Sequence, residues 1–259
     1  MRINTALQAW RKGQRTIGCW LSLGNAYSAE FMANLGFDWL CIDMQHGMAG
    51  PEDLKHMLPA ICTTSVTPLV RVPWNDPAVI MKALDAGAYG VIVPMINSRQ
   101  EALKAVAACR YPPDGLRSFG PIRAALYAGN GYAQEANRQI ACIAMIETRQ
   151  ALENLEDIVA TPGLDGVYIG PADLALALGL APDGDNTDPV HEAAVNKIFE
   201  AARAHGLAVG IHTWSAAFTK RYLAQGFNFV TLGSDIGFMA KMAISDLSAA
   251  REAIAGSQT

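Results

Sequence analysis

The stretch QIACIAMIETRQALENLEDIVATPGLDGVYIGPADLALA, residues 139–177, holds two apolar runs separated by a more polar segment. The first run, QIACIAMIE (139–147), is apolar almost to its end and finishes in a carboxylate. The second, DGVYIG (165–170), opens into PADL and brings a second carboxylate, Asp173. Continuous apolar runs of this length, bounded by Gly and Pro, have the character of strands buried on both faces of a parallel sheet.

The same unit repeats in both directions. Upstream lie TIGCWLS (16–22), FDWLCID (37–43), TPLVRV (67–72) and GVIVPM (90–95); downstream lie LAVGIH (207–212) and FNFVTLG (227–233). Between them run helix-type segments such as SAEFMANLG, PEDLKHMLPAI, DPAVIMKALDAG and SRQEALKAVAACR. Asp76 and Ser98 suit N-caps, Pro77 a first helical position, and Gly36 and Gly87 helix stops. Eight β/α units in 259 residues predict one TIM (β/α)8 barrel, a single domain over 1–259. A doubly wound open sheet would want a Gly-rich phosphate turn after an early strand, and none is present. Two long connections, 111–133 and 178–189, interrupt the rhythm. Loops on the carboxyl side of a barrel build active sites.

Composition narrows the partners. Hydrophobic residues make up 51% of the chain and charged residues 17%, enough apolar material to fill such a core. The net charge is −4 and no Lys/Arg-rich run occurs, which argues against nucleic acid. No run of about 18 apolar residues is present, so no membrane span is expected. The amino-terminal MRINTALQAWRKGQ reads as a short amphipathic helix without the apolar centre of a signal peptide. The five cysteines are odd in number and lack a CxxC, which fits reduced thiols in a cytoplasmic enzyme.

In such a barrel the chemistry sits where strands end. Asp43, Gln45 and His46 follow the second strand, Arg71 the third, Glu147 the fifth, Asp173 the sixth and His212 the seventh. Glu147 and Asp173 end adjacent strands and repel each other unless a cation lies between them. Two carboxylates with open positions for water and substrate oxygens suit Mg²⁺, Mn²⁺ or Co²⁺. Structural ion pairs with arginine are the alternative. Arg71, before a Pro-rich turn, would grip a carboxylate or a developing oxyanion. His46 either relays protons or caps a helix, and His212 is left open. His56, His191 and His205 fall in helical stretches, as surface or packing residues. All seven lysines also fall in helix-type segments, which disfavours a lysine imine mechanism.

FDWLCIDMQHG, VRVPWNDP, GVIVPMI, YPPDGLRSFGP, IETRQALENLEDI and GLDGVYIGPADLA together resemble the class II pyruvate aldolases, the group typified by 4-hydroxy-2-oxoheptanedioate aldolase. The likeness runs from about residue 16 to 237. It implies metal ligation by Glu147 and Asp173. It implies catalytic roles for Arg71 and His46, with Asp43 beside that histidine and Asp85 orienting it. It also implies a substrate site formed by Arg71, Gln45 and the turn Gly170, Pro171, Ala172 and Asp173, whose backbone N–H groups would take the pyruvate carboxylate. Gln45 stands where many members carry Glu, and Met145 where many carry Gln.

The expected reaction is reversible aldol cleavage of a 4-hydroxy-2-oxo acid to pyruvate and an aldehyde. A citramalyl- or malyl-CoA-type lyase would need a surface for the nucleotide, and no basic segment offers one. A barrel that only binds a keto acid would have no need of the metal pair, Arg71 and His46 together. The carboxyl-terminal segment carries Phe238, Met242, Leu247, Ala250 and Ile254 at helical spacing. That stripe either closes its own barrel or, as the resemblance implies, packs on a neighbouring subunit of a homohexamer.

Overall fold

A computed structural model describes residues 1–256. Eight strands alternate with helices: β1 (Thr16–Leu21), β2 (Trp39–Asp43), β3 (Thr67–Arg71), β4 (Gly90–Val93), β5 (Ala141–Ile146), β6 (Gly166–Ile169), β7 (Ala208–Ile211) and β8 (Phe229–Ser234). They pair in chain order, and β8 pairs with β1 to close an all-parallel barrel. The expected strands are all present, each losing one to three residues at its ends, and β8 also gains Ser234.

The helices are α1 (Thr5–Arg11), α2 (Ala26–Ala33), α3 (Pro51–Ile61), α4 (Pro77–Asp85), α5 (Arg99–Cys109), α6 (Ile122–Ala128) and α7 (Tyr132–Gln139). They continue with α8 (Arg149–Glu153), α9 (Leu155–Val159), α10 (Pro171–Ala177), α11 (Pro189–Ala204), α12 (Ala216–Gln225) and α13 (Asp235–Gly256). Asp76 caps α4 by accepting from the Ala78 and Val79 N–H groups, and Ser98 caps α5 by accepting from Glu101 N. Gly87 turns the chain just past α4 at φ +107°. Gly36 does not end α2 directly; Asn34 is the cap and Gly36 turns the next residues at φ +91°. The 111–133 connection holds α6 and the start of α7, whose short, turn-flanked sequences gave no long periodic run.

The barrel interior is filled by large side chains, among them Trp20, Trp39, Leu69, Ile143, Tyr168 and Phe229. Helix α1 lies across the amino-terminal mouth. Its Trp10 stacks on Phe229 at 4.3 Å between centroids and donates to Thr16 Oγ1 at 2.8 Å. The lower end is therefore a packed plug, which leaves the carboxyl ends of the strands as the open face. Cys19, Cys41 and Cys142 pack in strands as small hydrophobes.

Helix α13 departs from the barrel. Every residue from Met239 to Ile254 is exposed, including Met242, Ile244, Leu247 and Ile254. It does not close its own barrel. No helix among the described residues is long and apolar enough to cross a membrane.

Candidate active site

A cavity of about 160 Å³ opens at the carboxyl face. Trp20 from β1, His46 after β2, Arg71 from β3, Met145 from β5, the turn 170–173 after β6, and His212 and Trp214 after β7 line it. Larger grooves lie elsewhere: one of about 550 Å³ beside α4 and α5, and one of about 620 Å³ between α2 and the start of α13. Both are mainly apolar. Convergent polar groups, rather than volume, mark the small cavity as the site.

Glu147 follows β5 and is almost fully buried. Its Oε1 accepts from Met95 N at 2.9 Å; its Oε2 is buried with no hydrogen-bond partner among the described residues. Burial pushes this carboxyl up to about 7. The Met95 N–H pulls it down, the negative charge of Asp173 pushes it up, and Arg71 pulls it down. No arginine among the described residues bonds to it, which leaves the structural ion-pair alternative without support for this residue. Gly170 allows the close approach: a Cβ there would stand 2.3 Å from Glu147 Oε2. A buried, unpaired carboxylate oxygen beside a second carboxylate is the environment a divalent cation satisfies. No cluster of three or more metal-ligating side chains exists among the described residues, so a cation held here would find at most these two carboxylates as its side-chain donors.

Arg71 is held from two sides. Its Nε and Nη2 donate to Asp43 Oδ1 and Oδ2 at 2.8 and 2.6 Å, and its Cζ lies 4.3 Å from the Trp20 ring centroid. The strand register places Asp43 directly opposite Arg71. Nη1 has no partner among the described residues. Asp43 Oδ1 also accepts from the backbone N–H groups of Gln45 and His46. Burial raises the Asp43 carboxyl, but the Arg71 hydrogen bonds and charge outweigh it, and it is held below its ordinary value. Asp43 thus stands behind the cavity, fixing Arg71 and the 44–46 turn. His46 lines the cavity and is exposed at its rim. Gln45 is not part of the lining; its amide oxygen is buried without a partner.

Asp85 is the residue the structure does not bring to the site. Helix α4 runs back from the carboxyl face, so its last residue lies at the amino-terminal rim. There Asp85 accepts from Arg117 Nη2 at 2.8 Å. Within one protomer it does not orient His46.

Several site residues escaped the sequence reading. Met95 adopts φ +56°, a conformation uncommon for a residue with a side chain, and so aims its N–H at Glu147. Asn97 holds that turn by donating to Met95 O at 2.9 Å. Nothing local in its strand distinguishes Trp20, which lines the cavity, from an aromatic that faces only other side chains. Trp214 is over half exposed at the mouth; Asp185 Oδ1 accepts from its N–H at 2.9 Å. A Cβ on Gly184 would stand 2.6 Å from the Trp214 ring, so the 178–189 loop backs this wall. His191 is buried under the 170–173 turn, its Nε2 3.0 Å from Pro171 O.

The family model described as HpcH/HpaI aldolase/citrate lyase matches residues 16–241. The chain is 43% identical over 249 residues to a hydroxypyruvate/pyruvate aldolase of Rhizorhabdus wittichii, covering 96% of this chain and 99% of that one. It is 42% identical over 241 residues to a 4-hydroxy-2-oxo-heptane-1,7-dioate aldolase of Salmonella arizonae, covering 92% and 91%. A crystal structure of an HpcH/HpaI aldolase/citrate lyase family protein from Burkholderia cenocepacia superposes with a TM-score of 0.89 at 36% identity, covering 96% and 99%.

Proposed function

The chain belongs to the HpcH/HpaI aldolase/citrate lyase family, and from that premise we propose that it is a divalent-metal-dependent pyruvate aldolase, cleaving a 4-hydroxy-2-oxo acid reversibly to pyruvate and an aldehyde. The observation that carries the metal requirement is the buried, unpartnered Glu147 Oε2 beside Asp173. Mg²⁺, Mn²⁺ or Co²⁺ held by these two carboxylates would polarise the keto group and stabilise negative charge on its oxygen.

The protein's own groups supply the rest. Pro171 opens α10, and the N–H groups of Ala172 and Asp173 in its first turn have no intrahelical acceptor, which suits the substrate carboxylate. Arg71, immobilised by Asp43 and Trp20, offers Nη1 to the oxygen where charge develops. His46 at the rim moves the proton at the C4 hydroxyl. Within its own protomer Asp85 is ion-paired with Arg117.

The test is deuterium exchange of the pyruvate methyl group in D₂O, with no aldehyde present. Exchange that EDTA stops and Mg²⁺, Mn²⁺ or Co²⁺ restores is the expected result. Exchange surviving complete metal removal, or trapping of an imine by borohydride, would overturn it.

The unpartnered stripe of α13 further supports a homo-oligomer, proposed here as a hexamer, with the helix packed on a neighbouring subunit. Sedimentation giving a stable monomer at micromolar concentration would refute it. Five unpaired thiols suit a cytoplasmic location.

A further inference from the structure

The turn after β4 stands outside the cavity lining, yet it is tied to Glu147 at two points. Met95 N donates to Glu147 Oε1 at 2.9 Å, the one hydrogen bond this carboxylate receives among the described residues. Met95 holds φ +56° to make that bond. A side chain in the left-handed region crowds its own backbone, so the conformation costs free energy and persists only where neighbours hold it. The neighbour that holds it is Asn97. Its Nδ2 donates to Met95 O at 2.9 Å. Its Oδ1 accepts from the hydroxyl of Thr148, the residue that follows Glu147. Thr148 Oγ1 in turn accepts from Ala151 N at 3.0 Å and caps α8. The backbone of Asn97 is fixed as well. Its N–H donates to Glu101 Oε2 at 2.6 Å, and its carbonyl accepts from Asn154 Nδ2 at 2.8 Å. These partners also set which way the amide points, because Met95 O can only accept.

We propose that Asn97 is a positioning residue for metal binding: it pins Met95 in the left-handed conformation and Thr148 beside Glu147, and so fixes the carboxylate that a divalent cation would meet. This rests on the metal-dependent reading above. Asn97 does not line the cavity, so it acts through Met95 and Thr148 and not on substrate. Glu147 has one N–H on Oε1 and none on Oε2 among the described residues. Once the turn relaxes and Met95 N–H swings away, nothing fixes the carboxylate about its last bond. A cation with at most two side-chain carboxylates has few fixed points, so the orientation of each counts, and groups behind a ligand set its affinity. Plain packing is the competing role: Asn97 would only tie α5 and the α8–α9 junction to the barrel. That role costs stability and leaves metal affinity intact.

The probe is Mn²⁺ alone, titrated calorimetrically into the metal-free full-length protein without substrate, with the metal-free Tm recorded for each variant. Asn97→Ala should raise the Mn²⁺ Kd by about tenfold, the scale on which a group behind a ligand acts. Glycine enters φ +56° without the steric cost, so Met95→Gly added to Asn97→Ala should recover about threefold or more of that loss. The two substitutions are then coupled in a double-mutant cycle, which a packing role does not produce. Met95→Val leaves Asn97 in place and should itself weaken Mn²⁺ binding by about tenfold, because a β-branched residue is an outlier at positive φ. It carries the test if Asn97→Ala does not fold. Mn²⁺ affinity within about twofold of wild type in either single variant would overturn the proposal, and so would a loss in Asn97→Ala that Met95→Gly does not reduce. Wild type that binds no Mn²⁺ would instead remove the metal-dependent reading, and this proposal with it.

Discussion

Asp165 and Glu147 are both buried carboxylates at the ends of neighbouring strands, one just before β6 and one just after β5. Asp165, at the amino-terminal rim, is saturated. Its Oδ1 accepts from Arg11, and its Oδ2 from Arg110 and from Cys142 N, all at 2.7–2.9 Å. Glu147, at the carboxyl rim, takes one backbone N–H and leaves an oxygen bare. Burying charge without a partner is costly, so the difference is a division of labour. One rim spends its charges on holding the barrel shut; the other keeps valence open for a ligand. Arg117 at the lower rim leaves Nε and Nη1 unbonded, but it is stacked 4.5 Å over the Tyr111 ring.

The strongest way to break this contrast is Glu147→Gln. Methyl exchange should fall by about three orders of magnitude or more, since several kcal/mol of charge stabilisation go with the metal. The melting temperature of metal-free protein should hold or rise, because a carboxyl strained by burial is removed. A large loss of stability would mean that Glu147 belongs with Asp165. Arg71→Ala comes next, with a loss of about two to three orders of magnitude in both cleavage and exchange. Arg71→Lys should rescue little, because lysine cannot span both Asp43 oxygens and still reach the cavity. Full activity in either variant would remove Arg71 from the mechanism.

Arg110→Ala tests the other rim. Arg110 donates to Ile140 O, Gly163 O and Asp165, tying α5 to the β5 and β6 entrances. Its loss should cost about 3 kcal/mol, nearer the low end for a broken buried pair because Arg11 still holds Asp165. In a domain of this size that is a fall of about 10 °C in Tm. Turnover per folded molecule should be unchanged at a temperature where the variant is intact. A selective loss of kcat would show that the two rims are not separable.

This division explains what the sequence could reveal. Apolar runs that finish in Glu147 or open into Asp173 are visible because a lone charge after a buried strand has no packing reason to be there. The strands were legible for the same reason. Asp85 is not brought to His46 within one protomer, and the motif that carries it gives no direction along the helix. Nine residues of α4 climb about 13 Å, and that distance leads away from the site. Met95 was invisible, since nothing in PMIN marks a left-handed residue. His212 lines the cavity with its Nδ1 3.4 Å from the Tyr168 hydroxyl, a contact that nothing around it in the sequence indicates. Helices α6 and α7 are short and turn-flanked, and their stability comes from tertiary packing more than from local propensity.

Acid sharpens the contrast within the carboxyl rim itself. Asp43 is held below its ordinary value by Arg71, so it binds fewer protons folded than unfolded. The stability it contributes is fully present above the ordinary carboxylate range and is lost as pH falls through its folded value. Acid unfolding of wild type should therefore be steeper than that of Asp43→Asn below about pH 4. The neutral variant starts lower in stability, because Arg71 has lost its charged partner. Parallel acid-unfolding curves would mean that the pair contributes nothing measurable.

The smallest effect is expected from His191, which packs like a lower-rim residue yet supports the upper one. Its Nε2 is 3.0 Å from Pro171 O, and its Nδ1 is buried with no partner. Burial lowers its pKa, so the ring is neutral and Nε2–H is the donor. His191→Leu removes two things at once. It deletes one hydrogen bond, a loss of about 1 kcal/mol, and it deletes an unsatisfied nitrogen, a gain of about 1–3 kcal/mol. Leucine fills much of the space, so stability should hold or rise slightly. The turn that presents Ala172 and Asp173 loses its anchor all the same. Metal affinity should then weaken by about tenfold, as when a group behind a ligand is removed, and calorimetric titration with Mn²⁺ reads it directly. His191→Gln, which keeps a donor, should recover part of that loss. Unchanged metal affinity with a lowered Tm would place His191 wholly with the packing of the barrel. Weaker metal binding at unchanged Tm would show that the open valence above depends on a contact whose contribution to folding is close to nil.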